Sequence, residues 1–293
     1  MTAFLQQVVS GLATGAIFAS LALALVLIYR ATHIINFAQG EMAMFSTYIA
    51  WELMHRGLSF WPAFVLTLVI AFIGGVGTER IVIRPVENSS PLTIVIVTIG
   101  LLIAINGLAG WIWGAEVKAF DSPFPNSTIN VGGVIISTQD IGTFVVCMAT
   151  VLLLWAFFNL TTLGLAMRAA AIDPTASKLV GVRVGWMLAL GWGLAAVLGA
   201  IAGMMAAPTV FLDPNMMLTI LIYAFAAAVL GGIDSPVGAV VGGLLLGVTL
   251  NLLGAYVNIL GPELRLPSAL LVLLAVLMIR PAGLLGHVVV RRV

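Results

Sequence analysis

Apolar residues in this chain come in long runs, and polar residues mark the gaps between them. A helix needs roughly 20 mostly apolar residues to cross a hydrocarbon core. Windows of that size predict nine spans, at 5–29, 36–54, 58–78, 92–113, 140–160, 184–206, 216–232, 237–257 and 267–280. The second span is the weakest, because Asn36, Gln39 and Glu41 sit at its start. Only Ile233-Asp234-Ser235-Pro236 separates the seventh from the eighth, so eight spans plus a re-entrant piece fit nearly as well. Ten helices fit if one long segment is broken. The predicted fold class is all-α, a polytopic bundle of about eight to ten transmembrane helices, forming one domain over residues 1–293.

One polar island stands out between the fifth and sixth spans. It runs from Thr161 to Arg183, TTLGLAMRAAAIDPTASKLVGVR, and carries Arg168, Asp173, Lys178 and Arg183. Asp173-Pro174 reads as a helix start: Asp caps free N–H groups, and Pro fits the first helical position. Gly181 reads as the stop. The pattern predicts a short helix from about Pro174 to Val180. A second interruption, Gly231-Gly232-Ile233-Asp234-Ser235-Pro236-Val237-Gly238, breaks a long apolar stretch. It reads either as a tight turn capped by Asp234 or Ser235, or as a broken helix or elbow.

Basic residues orient the spans. Arg30, Arg80, Arg84, Arg168, Lys178, Arg183, Arg280, Arg291 and Arg292 fall on one side of the nine-span scheme. That side is expected to be cytoplasmic, with the C-terminus inside and the N-terminus outside. The loop from Gly114 to Gln139, with its Gly132-Gly133 turn, then lies outside. Arg56 and Arg265 fall on the outer side against the trend.

Composition narrows the function classes. The chain is 62% hydrophobic and 8% charged over 293 residues, with mean hydropathy +1.19; soluble domains carry about 25% charged residues. No basic patch suits nucleic acid. Cys147 is the only cysteine and lies in an apolar run, so it is expected to be a buried thiol. The first apolar segment has no preceding base and exceeds a signal-peptide core, so it reads as a retained span. His33, His55 and His287 are scattered, and no metal site is expected. Gly is never followed by Lys, so no G-x-x-x-x-G-K-[ST] phosphate loop exists. No soluble catalytic domain fits in the connections, and the chain is not expected to hydrolyse a nucleotide by that route itself.

A few polar residues fall where lipid would penalise them. Asn36, Gln39 and Glu41 are expensive if they face lipid, and tolerated if they line a cavity or satisfy free backbone groups at a break. For Asn36 the competing reading is an ordinary helix cap. Asn106 and Asn251 lie near the centres of their spans, so each amide joins another helix or lines a path. Gly11/Gly15/Ala19, Gly199/Gly203, Gly238/Gly242 and Gly243/Gly247 are spaced for close helix packing.

Three functions survive these observations: the membrane subunit of a pump whose ATPase is a separate chain, an ion-coupled carrier, and a channel or structural subunit. The island at 161–183 favours the first, as a place where an outside engine acts. Four blocks then carry a resemblance: INFAQGEM within 34–42, TTLGLAMRAAAIDPTASKLVGV at 161–182, GGIDSPVGAVVGG at 231–243 and RPAGLLG at 280–286. In this order they resemble the LivH-type permeases of branched-chain amino acid ABC importers. The resemblance implies a multi-pass permease of the bacterial inner membrane that pairs with a LivM-type permease. Two LivG/LivF-type cytoplasmic ATPase subunits would use the ATP, so no cofactor binds this chain directly, and an extracytoplasmic binding protein would deliver substrate. It also implies that the short helix docks in the ATPase, framed by Arg168, Asp173, Pro174, Ser177, Lys178 and Gly181. The island departs from the EAA-x(3)-G spacing of other importers, since Ala169-Ala170-Ala171 lacks the glutamate and Gly181 lies further on. Related systems carry leucine, isoleucine and valine, but also other amino acids, urea, short amides or aromatic acids.

Overall fold

A computed structural model describes residues 2–32, 34–257 and 264–286, without the side chain of Arg265. His33, His287, Arg291 and Arg292 lie outside the described residues. Among those described there are eleven α-helices and one β-hairpin. The helices are α1 Thr2–Thr32, α2 Gln39–His55, α3 Phe60–Thr78, α4 Pro91–Trp113, α5 Thr138–Leu160, α6 Thr162–Ile172, α7 Pro174–Leu179, α8 Val184–Val210, α9 Met216–Gly231, α10 Pro236–Tyr256 and α11 Arg265–Ile279. Six of them, α1, α3, α4, α5, α8 and α10, are long and apolar enough to cross a membrane. Each expected span corresponds to one apolar helix, with α2, α9 and α11 shorter than a full crossing. The protein is a multi-pass helical membrane protein.

Burial sorts the helices into centre and periphery. α1 is apolar all round, as a helix surrounded by others must be. The most apolar stretch is 83% buried in α1 and 72% in α8, against 17% in α4 and 11% in α5. Glycine makes the centre possible, because lipid tails provide no hydrophobic drive between helices and close backbone approach has to replace it. Gly11, Gly15 and Ala19 of α1 run antiparallel against Gly243 and Gly247 of α10. A Cβ added to Gly15 would lie 2.9 Å from the Gly243 carbonyl oxygen, and one on Gly243 would lie 2.5 Å from Ala19 Cα. On α8, Gly199 clears Gln39 and Gly203 clears Thr47, so α2 seats parallel against it. Cys147 is fully buried.

The connection expected as a plain loop at 114–139 contains a hairpin, β1 Thr128–Val131 and β2 Val134–Ser137, paired Thr128↔Ser137 through Val131↔Val134. Gly132 and Gly133 have φ of 60° and 88°, the positive pair that a two-residue type I′ turn demands. The same connection is tied to the ends of α2 and α8: Trp51 Nε1 donates to the Ala119 carbonyl at 3.1 Å, and Lys118 and Leu212 exchange backbone bonds of 2.8 and 3.0 Å.

The opposite end gathers the bases. α3 widens into a π-helical turn, Glu79–Ile83, and then a 3-10 turn, Arg84–Val86. Arg84 holds buried Glu79 at 3.0 Å and donates to the Gly185 carbonyl at 2.5 Å. The Arg80 guanidinium sits 3.6 Å over the Trp186 ring. These contacts fasten the end of α3 to the start of α8, next to Arg183. Sequence reading missed them, because the pairing of Glu79, Arg84 and Trp186 exists only after the helices are packed.

Candidate coupling and translocation sites

The first candidate surface is the island. Thr161 caps α6 by accepting from Gly164 N at 3.0 Å, and a side chain on Gly164 would strike the backbone of Phe157 and Phe158. The chain therefore turns sharply out of α5. Met167 and Ala170 face inward and are buried, while Ile172 is exposed. Asp173 then caps α7: its Oδ1 accepts from Thr175 N and Ala176 N, both at 2.9 Å, with Pro174 at the first position. Gly181 ends the unit at φ 86°, and Val182 N returns to the Ser177 carbonyl at 3.0 Å.

The residues implied for docking therefore divide. Lys178 is exposed on α7, beside Leu179 and Val180, which are 86% and 79% exposed. Ser177 is only 4% exposed, so it belongs to the frame rather than to any contact surface. Arg168 is half-buried, and its Nε has no hydrogen-bond partner among the described residues. The apolar residues Ile172, Leu179 and Val180 were not singled out from sequence. Their signal is faint: three aliphatics inside a polar segment.

The elbow lies at the same end. Gly232 has φ 109° and ends α9; Ser235 caps α10 by accepting from Gly238 N at 3.0 Å. Pro236 takes the first helical position, and Asp234 is exposed without a capping bond. The C-terminal RPAGLLG block docks onto this turn. Leu284 N and Leu285 N donate to the Leu230 and Gly231 carbonyls at 2.8 and 2.9 Å, and a Cβ on Gly232 would lie 2.5 Å from Gly286 N. Two blocks distant in sequence thus form one joint.

The second candidate site lies deep in the bundle, where α2 begins. Gln39 Nε2 donates to the Ala195 carbonyl at 2.9 Å. Ala195 is the twelfth residue of α8, about 17 Å along it at 1.5 Å per residue, so α2 starts well inside an apolar layer of roughly 30 Å. Asn36 is not the cap, which is Ala38. The Asn36 side chain instead accepts from Ala38 N at 3.0 Å and donates to Gln39 Oε1 at 3.2 Å. The buried amides satisfy the backbone freed by the break, as irregular backbone at membrane depth requires.

Glu41, 1% exposed, occupies the first turn of α2, where the helix dipole favours a carboxylate. Asn106 of α4 donates to Glu41 Oε2 at 3.2 Å and to the Pro214 carbonyl at 2.8 Å, with Asn215 Oδ1 at 3.4 Å. Asn215 N in turn donates to Asp213 Oδ1 at 2.7 Å, starting α9. Two helix starts thus meet around Glu41 and Asn106. The outer face of this junction is polar: Asn215 and Thr219 are exposed, and Asn106 and Asp213 are half-buried. Asp213, Pro214 and Asn215 were not singled out from sequence. Asn251 does not join the cluster. It is half-buried on α10. Among the described residues, no group of three His, Cys, Asp or Glu is placed to hold a metal ion.

Comparison with known proteins places this geometry. The family model described as branched-chain amino acid transport system / permease component matches residues 7–280. The high-affinity branched-chain amino acid transport system permease protein BraD of Pseudomonas aeruginosa is 33% identical, over 99% of this chain and 98% of its own. LivH of Escherichia coli, a permease protein of the same description, is 32% identical over the same shares. Among solved structures, PsaBC from Streptococcus pneumoniae in complex with Fab aligns over 93% of this chain and 91% of that chain, with TM-score 0.51. At 16% identity that likeness is one of fold alone.

Proposed function

The chain belongs to the family of branched-chain amino acid transport system permease components, and from that premise we propose that it carries branched-chain or related amino acids across the bacterial inner membrane as one permease of an ATP-driven importer. The full assembly adds a LivM-type permease, two LivG/LivF-type ATPase subunits and an extracytoplasmic binding protein. ATP is bound and hydrolysed on the partner subunits, and this chain is not itself an enzyme.

One observation carries the reading. Ile172, Leu179 and Val180 are apolar and 79–86% exposed at the basic end of the bundle. They lie in a segment too polar and too short to enter lipid. Apolar residues grouped on such a surface mark a protein contact. The ATPase covers them, with Lys178 at the rim, and its closure pushes α6 and α7 as a unit held by the Asp173 cap. Movement passes to α1, α8 and α10, against which α6 and the elbow Gly232, Asp234, Ser235 and Pro236 abut.

The polar face of α4 and α9 supports a path beside Asn106, Asn215 and Thr219, with Glu41 behind it and Asn36 and Gln39 holding the break open. Lipid against the exposed Asn215 amide and the half-buried Asn106 amide is unfavourable at that depth, so a water-filled passage or the second permease lies there. Alternating access follows when the ATPase stroke tilts this face. The test is uptake into vesicles. The assembled importer with its binding protein takes up labelled leucine only with ATP inside, and the chain alone takes up none. Sodium- or proton-driven uptake by the chain alone overturns the reading.

A further inference from the structure

Neither the α6–α7 surface nor the polar face uses an apolar cavity near the basic end. It measures about 580 Å³ and lies among α1, α5, α6, α8 and α10. Its walls include Leu27, Phe158 and Val240, and its polar lining is Arg30, Arg168 and Asn159. No Asp or Glu lines it, and among the described residues neither arginine has an ion-pair partner. Arg168 Nε is buried without a hydrogen-bond partner. Cations held against apolar walls without counter-ions are costly, so the cavity is complementary to an anion.

The shape and chemistry narrow that anion. A zwitterionic amino acid would bring an ammonium beside two guanidinium groups, with no carboxylate to receive it. An amphiphile satisfies both parts, its anionic head on the arginines and its chain along the walls. The cavity mouth separates lipid from protein as the source. Leu152, Trp155 and Val237 are exposed around it, aliphatic residues with one tryptophan of the type that sits at membrane interfaces. Basic pockets between helices on the cytoplasmic side bind anionic headgroups.

We propose that this cavity binds an anionic phospholipid of the cytoplasmic leaflet, with its phosphodiester on Arg30 and Arg168 and an acyl chain between α1, α5 and α10. Arg168 belongs to α6, which leads through Asp173 into α7. The lipid therefore fixes α6 against α1, and the stiffness of the α6–α7 lever depends on leaflet composition.

Native mass spectrometry of the intact assembly from nanodiscs, equimolar in phosphatidylglycerol and phosphatidylethanolamine, counts the lipid kept by this chain. The reading needs no ATP or substrate, so it stands or falls apart from the transport function. Phosphatidylglycerol is expected to be retained in preference. Arg30→Gln, at the partly exposed end of α1, lowers that retention roughly five-fold, the factor one arginine contributes near an anionic surface. Val240→Trp, which fills the chain groove and leaves both arginines, lowers it as well. Equal retention of the two lipids, or retention unchanged in Arg30→Gln, overturns the proposal. So does displacement of the lipid by inorganic phosphate, which would make this a free-anion site. Cross-linking of a Leu152→Cys variant to another protein chain rather than to a photoactivatable lipid would show a partner over the mouth and also overturn it.

Discussion

Replacing Leu179 by alanine tests the docking surface most directly. Leu179 is the last residue of α7 and 86% exposed, so the permease itself loses little by the change. Alanine is also the best helix former, so α7 is not weakened. If the ATPase buries the leucine, truncation removes about 2 kcal/mol of apolar burial. That corresponds to roughly a thirty-fold rise in Kd. Titrating labelled ATPase subunits onto the permease pair in nanodiscs measures it. Uptake should fall with occupancy and recover at high ATPase concentration, because the change weakens assembly rather than the stroke. Val180→Ala should act in the same direction. Glu87→Gln, exposed at the same end but outside the island, should leave Kd unchanged. A Kd for Leu179→Ala within two-fold of wild type, with normal uptake, would refute docking at α7.

Three further outcomes follow from the same geometry. Asp173→Ala removes both capping bonds and should cost α7 about 1 kcal/mol, read as faster amide exchange over residues 175–179, with Asp173→Asn largely restoring protection. Gly243→Val places its Cβ 2.5 Å from Ala19 Cα and should destabilise the α1–α10 contact by about 1–3 kcal/mol or more; an unchanged melting temperature in detergent would contradict the close seam. Asn106→Leu strips Glu41 of its donor and, at roughly 1–3 kcal/mol for an orphaned buried group, should cut uptake more than Glu41→Gln does; equal uptake in both would remove Asn106 from the path.

Much of this bundle was legible because a membrane imposes simple rules. Run length located the nine apolar helices, and Asp173-Pro174 and Gly181 carried their own local chemistry as cap, first position and stop. The glycine spacings were legible as packing, but not as partners. That Gly15 meets Gly243, or that Gly232 meets Gly286, depends on which helices become neighbours, and apolar helices without a polar face give no direction. The same limit hid the Glu79–Arg84–Trp186 fastening and the link from Glu41 to Asn106. The start of α2 was ambiguous for another reason: its polar residues satisfy backbone groups inside the bundle, and hydropathy reads that as a weak span. The hairpin at 128–137 was missed because a Gly-Gly turn was taken with its flanks as one loop.

The packing also decides which parts can move. α1 touches α10 backbone to backbone, and α8 meets α2 and α3 in the same manner, with Gly75 facing the Trp192 carbonyl at 2.6 Å for an added Cβ. Such contacts cannot slide by a fraction of a side chain without collision, because close-packed interfaces are bistable rather than continuously deformable. The block α1–α2–α8–α10 must therefore move rigidly. Freedom remains at its edges: α4 and α5 are mostly exposed, and α6 meets α1 beside a cavity rather than along a glycine seam. A stroke delivered at α7 consequently reaches the block through α6 and through the α3–α8 fastening, not through the glycine seams. Weakening Arg84, which spans both sides of that fastening, should leave ATPase docking intact and lower uptake per ATP hydrolysed. Loss of docking in Arg84→Met would instead place the fastening within the ATPase contact.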